Sequence, residues 1–319
     1  MNVWRSAQRP LFVLAPLYDV TDTVFRQIIA DCAPPDLFFT EFVNADGLQS
    51  SGRDKLDFRL KFTDKDQPII AQIWGKQPEN FRKTAAELVK MGYDGIDINF
   101  GCPDKSVVKN GCCIAMVDDR PLAAEIIQAT KKGAGELPVS VKTRLGLGNI
   151  DLTWLEFLLQ QKLDALIIHG RTRSEMSKVP AHWDEIGKVR AIRDKLAVKS
   201  LIIGNGDAEN RQQGLELAKK YQLDGIMIGR GVFADPFALS ENSPCETYTT
   251  EQKINLYKKH VELFAKTWKN NERPIVTLNK FCKVYISGFD GAKELREELM
   301  SATSSGKLLE QLNSIKQPS

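Results

Sequence analysis

Between residues 11 and 229 the chain alternates short apolar runs with longer amphipathic stretches, and this alternation limits its fold more than any other feature. The apolar runs fall at 11–15, 37–40, 69–74, 95–99, 139–143, 165–169, 200–204 and 225–229. Segments with helical spacing lie between most of them, at 22–32, 78–91, 121–132, 152–161, 184–194 and 208–221. Strands that read as nearly continuous apolar runs are covered on both faces, which is the habit of parallel sheets flanked by helices. Eight such alternations predict an α/β fold, a (β/α)8 TIM barrel. Residues 41–68 interrupt the rhythm and read as an irregular helix and a charged loop with Arg53, Lys55, Arg59 and Lys61 exposed.

Beyond residue 237 the pattern changes. A Ser/Asn/Pro linker at 240–244 precedes helical segments at 249–270, 275–286, 292–302 and 306–315, with no further strand. Two domains are therefore expected, a catalytic barrel over 1–240 and an all-helical domain over 241–319. From residue 251 onward 12 Lys and Arg face 8 Asp and Glu, in a chain whose net charge is +3. That bias suits a polyanionic partner, and it equally suits helices with solvated lysine faces.

Other classes are disfavoured. No apolar run approaches the roughly 18 residues of a membrane span. The first residues lack the apolar core of a secretory leader, so the cytoplasm is the expected compartment. Six cysteines are scattered without a Cys-x-x-Cys pair, and only three histidines occur, so neither a disulfide framework nor a metal site is expected.

What distinguishes this barrel is the polar residue at or near the end of strand after strand: Gln72, then Asn99 and Cys102, then Lys142 and Arg144, then His169 with Arg171, then Asn205, Gly206 and Asp207, then Gly229 and Arg230. Polar groups in apolar strands are costly unless partnered, so their convergence on one opening implies a polar, anionic and planar ligand. Loops after the seventh and eighth strands of such barrels often cradle phosphate on glycine-exposed N–H groups, and 204–207 and 228–231 supply the glycines, with Arg230 as a cation. The same glycines could serve only tight turns. Lys142 reads either as a cation beside a flavin's pyrimidine edge or as a snorkelling strand-end lysine. His169 reads as a ligand contact or a satisfied core histidine. Cys102, between Gly101 and Pro103 just after a buried strand, is either a small buried hydrophobe or a thiol serving as acid or nucleophile. Spacing alone leaves that open.

Taken in order, Ala15-Pro16-Leu17 with Thr21-Asp22, Thr40-Glu41, Ala71-Gln72, Asp97-Ile98-Asn99-Phe100-Gly101-Cys102-Pro103, Val141-Lys142-Thr143-Arg144, His169-Gly170-Arg171-Thr172, Gly204-Asn205-Gly206-Asp207 and Met227-Ile228-Gly229-Arg230-Gly231 resemble the motifs of the tRNA-dihydrouridine synthases. The likeness spans roughly 11–237, with the helical tail in the place of that family's RNA-binding domain. Asn-x-Gly-Cys-Pro is its specific part.

The resemblance implies FMN-dependent reduction of a tRNA uridine by NADPH, in a monomer. It assigns Gln72, Lys142, His169, Asn205, Gly206, Asp207, Gly229 and Arg230 to FMN, with Ala15, Pro16 and Leu17 along the ring. Asn99 and Arg144 would address the uracil, and Cys102 would protonate C5 across from the hydride delivered to C6. Lys105, Lys109, Lys258, Lys259, Lys266, Lys280 and Lys283 would be candidates for contact with tRNA phosphates. Leu17 stands where the family usually has Met, the 109–113 loop with Cys112 and Cys113 replaces a Gly/Ala-rich one, and 173–183, whose register against the family is open, is assigned no role. The readings weighed against this one are a dihydroorotate dehydrogenase-like FMN enzyme acting on a small molecule, and an RNA-binding barrel without chemistry.

Overall fold

The computed structural model describes residues 2–5, 8–244, 247–269 and 272–315; Cys245 lies outside them. The described chain divides into two compact units. The first comprises residues 1–23 and 35–229, the second residues 24–34 and 230–319.

The first unit is a nearly closed barrel of parallel strands: β1 (Leu11–Leu14), β2 (Phe38–Phe39), β3 (Val43–Asn44), β4 (Ile69–Trp74), β5 (Gly95–Phe100), β6 (Val139–Arg144), β7 (Ala165–His169), β8 (Leu201–Asn205) and β9 (Gly225–Ile228). Around the barrel they run β1-β9-β8-β7-β6-β5-β4-β2, with β3 also on β4. A parallel bridge between Val13 and Leu37 brings the two ends of this path together. β2 is the strand expected at 37–40, and β3, which falls in the segment expected to be irregular, continues the same stave along β4, so the barrel has the eight staves that the alternation predicts.

The break in that stave has a chemical cause. Glu41 is fully buried and accepts from Asp19 N (2.6 Å) and Arg59 Nη1 (2.5 Å). Arg59 also reaches Asp19 Oδ1 at 2.9 Å. Expected to be exposed, Arg59 is instead 7% exposed, because a buried carboxylate needs a paired cation and this guanidinium reaches it.

Side chains alternate along each strand, so every second residue enters the barrel. Leu11, Val13, Leu37, Phe39, Ile70, Ala165, Ile167, Leu201, Ile203 and Met227 form its apolar interior together with Val3 and Trp4. Trp4 is 1% exposed, and Asn2 Nδ2 donates to Asp164 Oδ1 at 2.7 Å just before β7 begins, so the N-terminal segment seals the end where the strands start.

Helix ends follow local rules. Pro at the first turn starts the helix Pro78–Met91, and Gly92, at φ 84°, ends it in the left-handed conformation. A Cβ at Gly133 would lie 2.1 Å from Arg82 O, so glycine is what lets this helix approach the helix Arg120–Ala134 so closely.

The second unit is helical and has its own aromatic core. Its long helix Thr250–Thr267 begins with a capping box between Thr249 and Gln252. Phe25 packs on Phe281 at 4.9 Å between ring centroids and on Phe233 at 6.0 Å. His260 Nδ1 lies 2.9 Å from Tyr285 Oη, and burial pushes the histidine down to about 3, so it stays neutral. The boundary expected at residue 240 falls instead after Gly229, and residues 24–34 belong to this unit. Among the described residues no helix is long and apolar enough to cross a membrane.

Candidate active site

At the C-terminal end of β5 the chain turns out of the barrel, and the turn is built by one amide. Asn99 Oδ1 accepts from Gly101 N and Cys102 N, both at 2.9 Å, the local capping for which Asn is favoured. Arg144, two positions beyond Lys142 on β6, donates from Nε to Gly101 O at 3.0 Å and from Nη1 to Thr172 O at 3.2 Å. Arg173 Nε reaches Pro103 O at 3.4 Å. The loops after β5 and β7 are thereby tied together around Cys102. Asn99 and Arg144, expected to address a base, have this prior task.

The Cys102 thiol is half-buried and lowered to about 7. The largest cause is a hydrogen bond with the Cys113 thiol; burial opposes it, and Asp104 N–H and the Arg144 guanidinium add to the lowering. Cys113 opens a 3-10 turn, Cys113–Val117, and is buried, and burial raises its own pKa well above the ordinary thiol value. Of the three neighbouring thiols, then, Cys102 is the one poised to exchange a proton near neutrality.

Below this loop the inner wall is polar across β4, β5 and β6. Gln72 Nε2 donates to Asp97 Oδ2 at 2.7 Å, Ser140 Oγ donates to Asp97 Oδ1 at 2.6 Å, and Asn99 Nδ2 donates to Gln72 Oε1 at 3.0 Å. The strand register produces these pairs, since Gln72 lies beside Asp97 and Asp97 beside Ser140. Burial raises the Asp97 carboxyl to about 7, against the pull of Ser140, Gln72 and Lys142. Lys142 is lowered to about 8, chiefly by burial and then by Arg144. Its Nζ donates to Asn205 Oδ1 at 3.1 Å, and Asn205 Nδ2 donates to Met227 O at 2.8 Å. An ammonium has three donors, so Lys142 has hydrogen-bonding capacity to spare for a ligand. Register sets His169 between Arg144 and Asn205.

The β8 loop is shaped by backbone demands. Gly206 has φ 127°, and a Cβ there would come within 2.9 Å of Ala181 Cβ, so only glycine fits without a shift. Asp207, expected to face a cofactor, accepts from Arg171 Nη2 and from Ala181 N (2.9 Å), which braces the loop. Arg171 is 3% exposed, and its Nη1 has no hydrogen-bond partner. Ala15 N donates to Ile228 O at 2.8 Å, Pro16 is buried, and Leu17 N donates to Thr21 Oγ1 at 2.9 Å, which fixes the β1 loop beside Gly229. Arg230 falls in the second unit, as N-cap of the short helix Gly231–Ala234.

A spare ammonium, a buried guanidinium with an idle nitrogen and a glycine-opened loop together fit a planar ligand carrying negative charge. Asp97, Ser140 and Cys113 are functional candidates that the strand-end pattern did not single out. The only signal for Asp97 was an acidic residue two positions before Asn99, hence on the same face of the strand.

Fold and site together define a TIM-barrel enzyme with its chemistry at the C-terminal mouth. The profile of the dihydrouridine synthase family matches residues 13–318, and the chain belongs to that family. It is 46% identical over 310 residues to a probable tRNA-dihydrouridine synthase 2 of Bacillus subtilis, covering 96% of this chain and 94% of that one. It is 47% identical over 306 residues to a probable tRNA-dihydrouridine synthase of Staphylococcus aureus, covering 95% and 92%. Among solved structures, the old yellow enzyme homologue of Zymomonas mobilis superposes with a TM-score of 0.50 at 12% identity, covering 74% of this chain and 90% of that one, a likeness of fold alone.

Proposed function

We propose that the chain reduces the C5–C6 bond of a uridine in tRNA, with FMN as cofactor, NADPH as reductant and Cys102 as proton donor. The observation that carries the reading is Cys102 itself, a half-buried thiol lowered to about 7 on a loop braced by Asn99 and Arg144.

Gln72, Lys142, His169, Asn205 and Gly206 would hold the FMN, with Ala15 to Leu17 and Gly229 beside it. When bound, the flavin supplies the hydride that reaches C6 of the base. Lys142 brings a positive charge into a water-poor wall, where it stabilises an anionic ring far more than it would in water. Arg144 brings a second service beyond the loop: its Nε and Nη1 hold backbone oxygens, and its Nη2 can donate to a carbonyl of the base. Cys102 gives its proton to C5, and its lowered pKa matches an acid that must both release and regain a proton near neutral pH.

A base stacked in tRNA has to leave the stack to reach such a mouth, so binding depends on grip of the surrounding RNA by shape and phosphates. The basic helical unit suits that task. Lys259 is less available than its neighbours, since it is paired with Asp31 at 2.6 Å.

The test is Cys102→Ala. The purified variant is expected to keep a flavin's visible absorbance and its bleaching by NADPH, while dihydrouridine formation in unmodified tRNA falls on the order of a thousandfold. Equal turnover by variant and parent would remove Cys102 from the role. Reoxidation of the bleached protein by a free pyrimidine, with none by tRNA, would favour a small-molecule reductase instead.

A further inference from the structure

The polar wall has a direction. Gly101 N and Cys102 N can only donate, so Asn99 must turn Oδ1 to them and Nδ2 toward Gln72. Gln72 must then offer Oε1, which leaves its Nε2 pointing at residue 97. That position has to supply an acceptor. Asp97, fully buried, accepts there and is steadied on its other oxygen by the Ser140 hydroxyl. A buried amide facing an apolar side chain instead would lose its partner and be free to turn over, and the Cys102 turn would lose its brace.

We propose that Asp97 is a positioning residue: by accepting from Gln72 it fixes the orientation of the Gln72–Asn99 amide pair, and through that pair the backbone of Cys102. The importance of that positioning rests on the proton-donor role proposed for Cys102. A competing account makes Asp97 only a counter-charge for Lys142, the charged side chain that acts on it. The two differ in what they demand: orientation needs an acceptor, charged or not, whereas a counter-charge needs the charge.

The discriminating measurement is the rate of Cys102 alkylation by iodoacetamide in the purified full-length protein, read by mass spectrometry of the Cys102 peptide from pH 6 to 9. Asp97→Asn keeps an acceptor for Gln72 and can donate its Nδ2 to Ser140 Oγ. It is expected to stay within about twofold of the parent, since no hydrogen bond of the chain is lost. Asp97→Ala is expected to raise the midpoint from about 7 toward the ordinary thiol range and to slow alkylation at pH 7 about tenfold. An Asp97→Ala protein that titrates like the parent, or an Asp97→Asn protein that falls with it, overturns the proposal.

A second pair of variants covers the case in which Asp97→Ala does not fold. Asn99→Asp sets a carboxylate oxygen against Gln72 Oε1, two acceptors face to face. Adding Asp97→Asn lets the Gln72 amide turn over, because the amide introduced at position 97 can donate to Gln72 Oε1 while its own carbonyl accepts from Ser140. The exchanged pair is expected to recover at least half of the melting-temperature loss of Asn99→Asp alone. Losses that simply add would refute the directional chain. These readouts need no tRNA, so failure of the dihydrouridine assay with Cys102→Ala would strike the acid role and leave the alkylation and melting series standing.

Discussion

The two sides of the barrel interior are built on opposite principles. On β1, β2 and β9 the inward residues are Leu11, Val13, Phe39 and Met227, which pack as a core. On β4, β5 and β6, above Ile70, they are Gln72, Asp97, Asn99, Ser140, Lys142 and Arg144, of which Ser140, Asp97, Gln72 and Asn99 are joined by hydrogen bonds in sequence. The apolar side contributes stability by burial; the polar side contributes orientation and charge, and burial works against it. The comparison teaches that a strand's outward face decides whether it joins the sheet, while its inward face is free to be spent on chemistry.

Three experiments would break or sharpen this contrast. The largest effect is expected from Leu11→Ala on the apolar side, a cavity costing about 3 kcal/mol in denaturant unfolding, with the Cys102 alkylation midpoint unmoved. Next comes Lys142→Met. It should weaken FMN binding about thirtyfold, read by fluorescence titration, as expected for loss of a charge-assisted bond. Its apoprotein should melt close to the parent, because relief of a desolvated ammonium offsets the hydrogen bond lost at Asn205 Oδ1. An Lys142→Met apoprotein that melts well below the parent would show that the polar side carries stability too. The smallest effect is in pH. A proton donor must be protonated to act, so if Cys102, lowered to about 7, has the role proposed for it, single-turnover reduction of tRNA should fall about tenfold per unit on the alkaline side of that value and level off on the acid side. A rate that rises through pH 7 to 8 would mean that the thiolate is the active form.

Much of the fold was legible because its signals are local. Helix 78–91 announces itself by Pro78 at one end and Gly92 at the other, and β5 by the run before Gly101. The division of the second stave was not legible. It depends on Glu41 meeting Arg59 across 18 residues of irregular chain, a pairing that no periodicity encodes. Likewise the apolar face of helix Thr23–Cys32 reads as any barrel helix would, and only the stacking of Phe25 on Phe281 and Phe233 reveals which unit it joins. In the site, the strand-end residues stood out as polar groups in apolar runs. Asp97 did not, because its meaning depends on register with Gln72 and Ser140, and Cys113 did not, because its contact with Cys102 is made by a turn.

Trp4 and Val3, wedged among the first residues of the strands, fill that end of the barrel, while its polar wall lies toward the other. On the reading proposed above, the electron donor and the base would both approach the polar wall from the C-terminal ends of the strands. On that reading the two would take turns at the mouth rather than meet there.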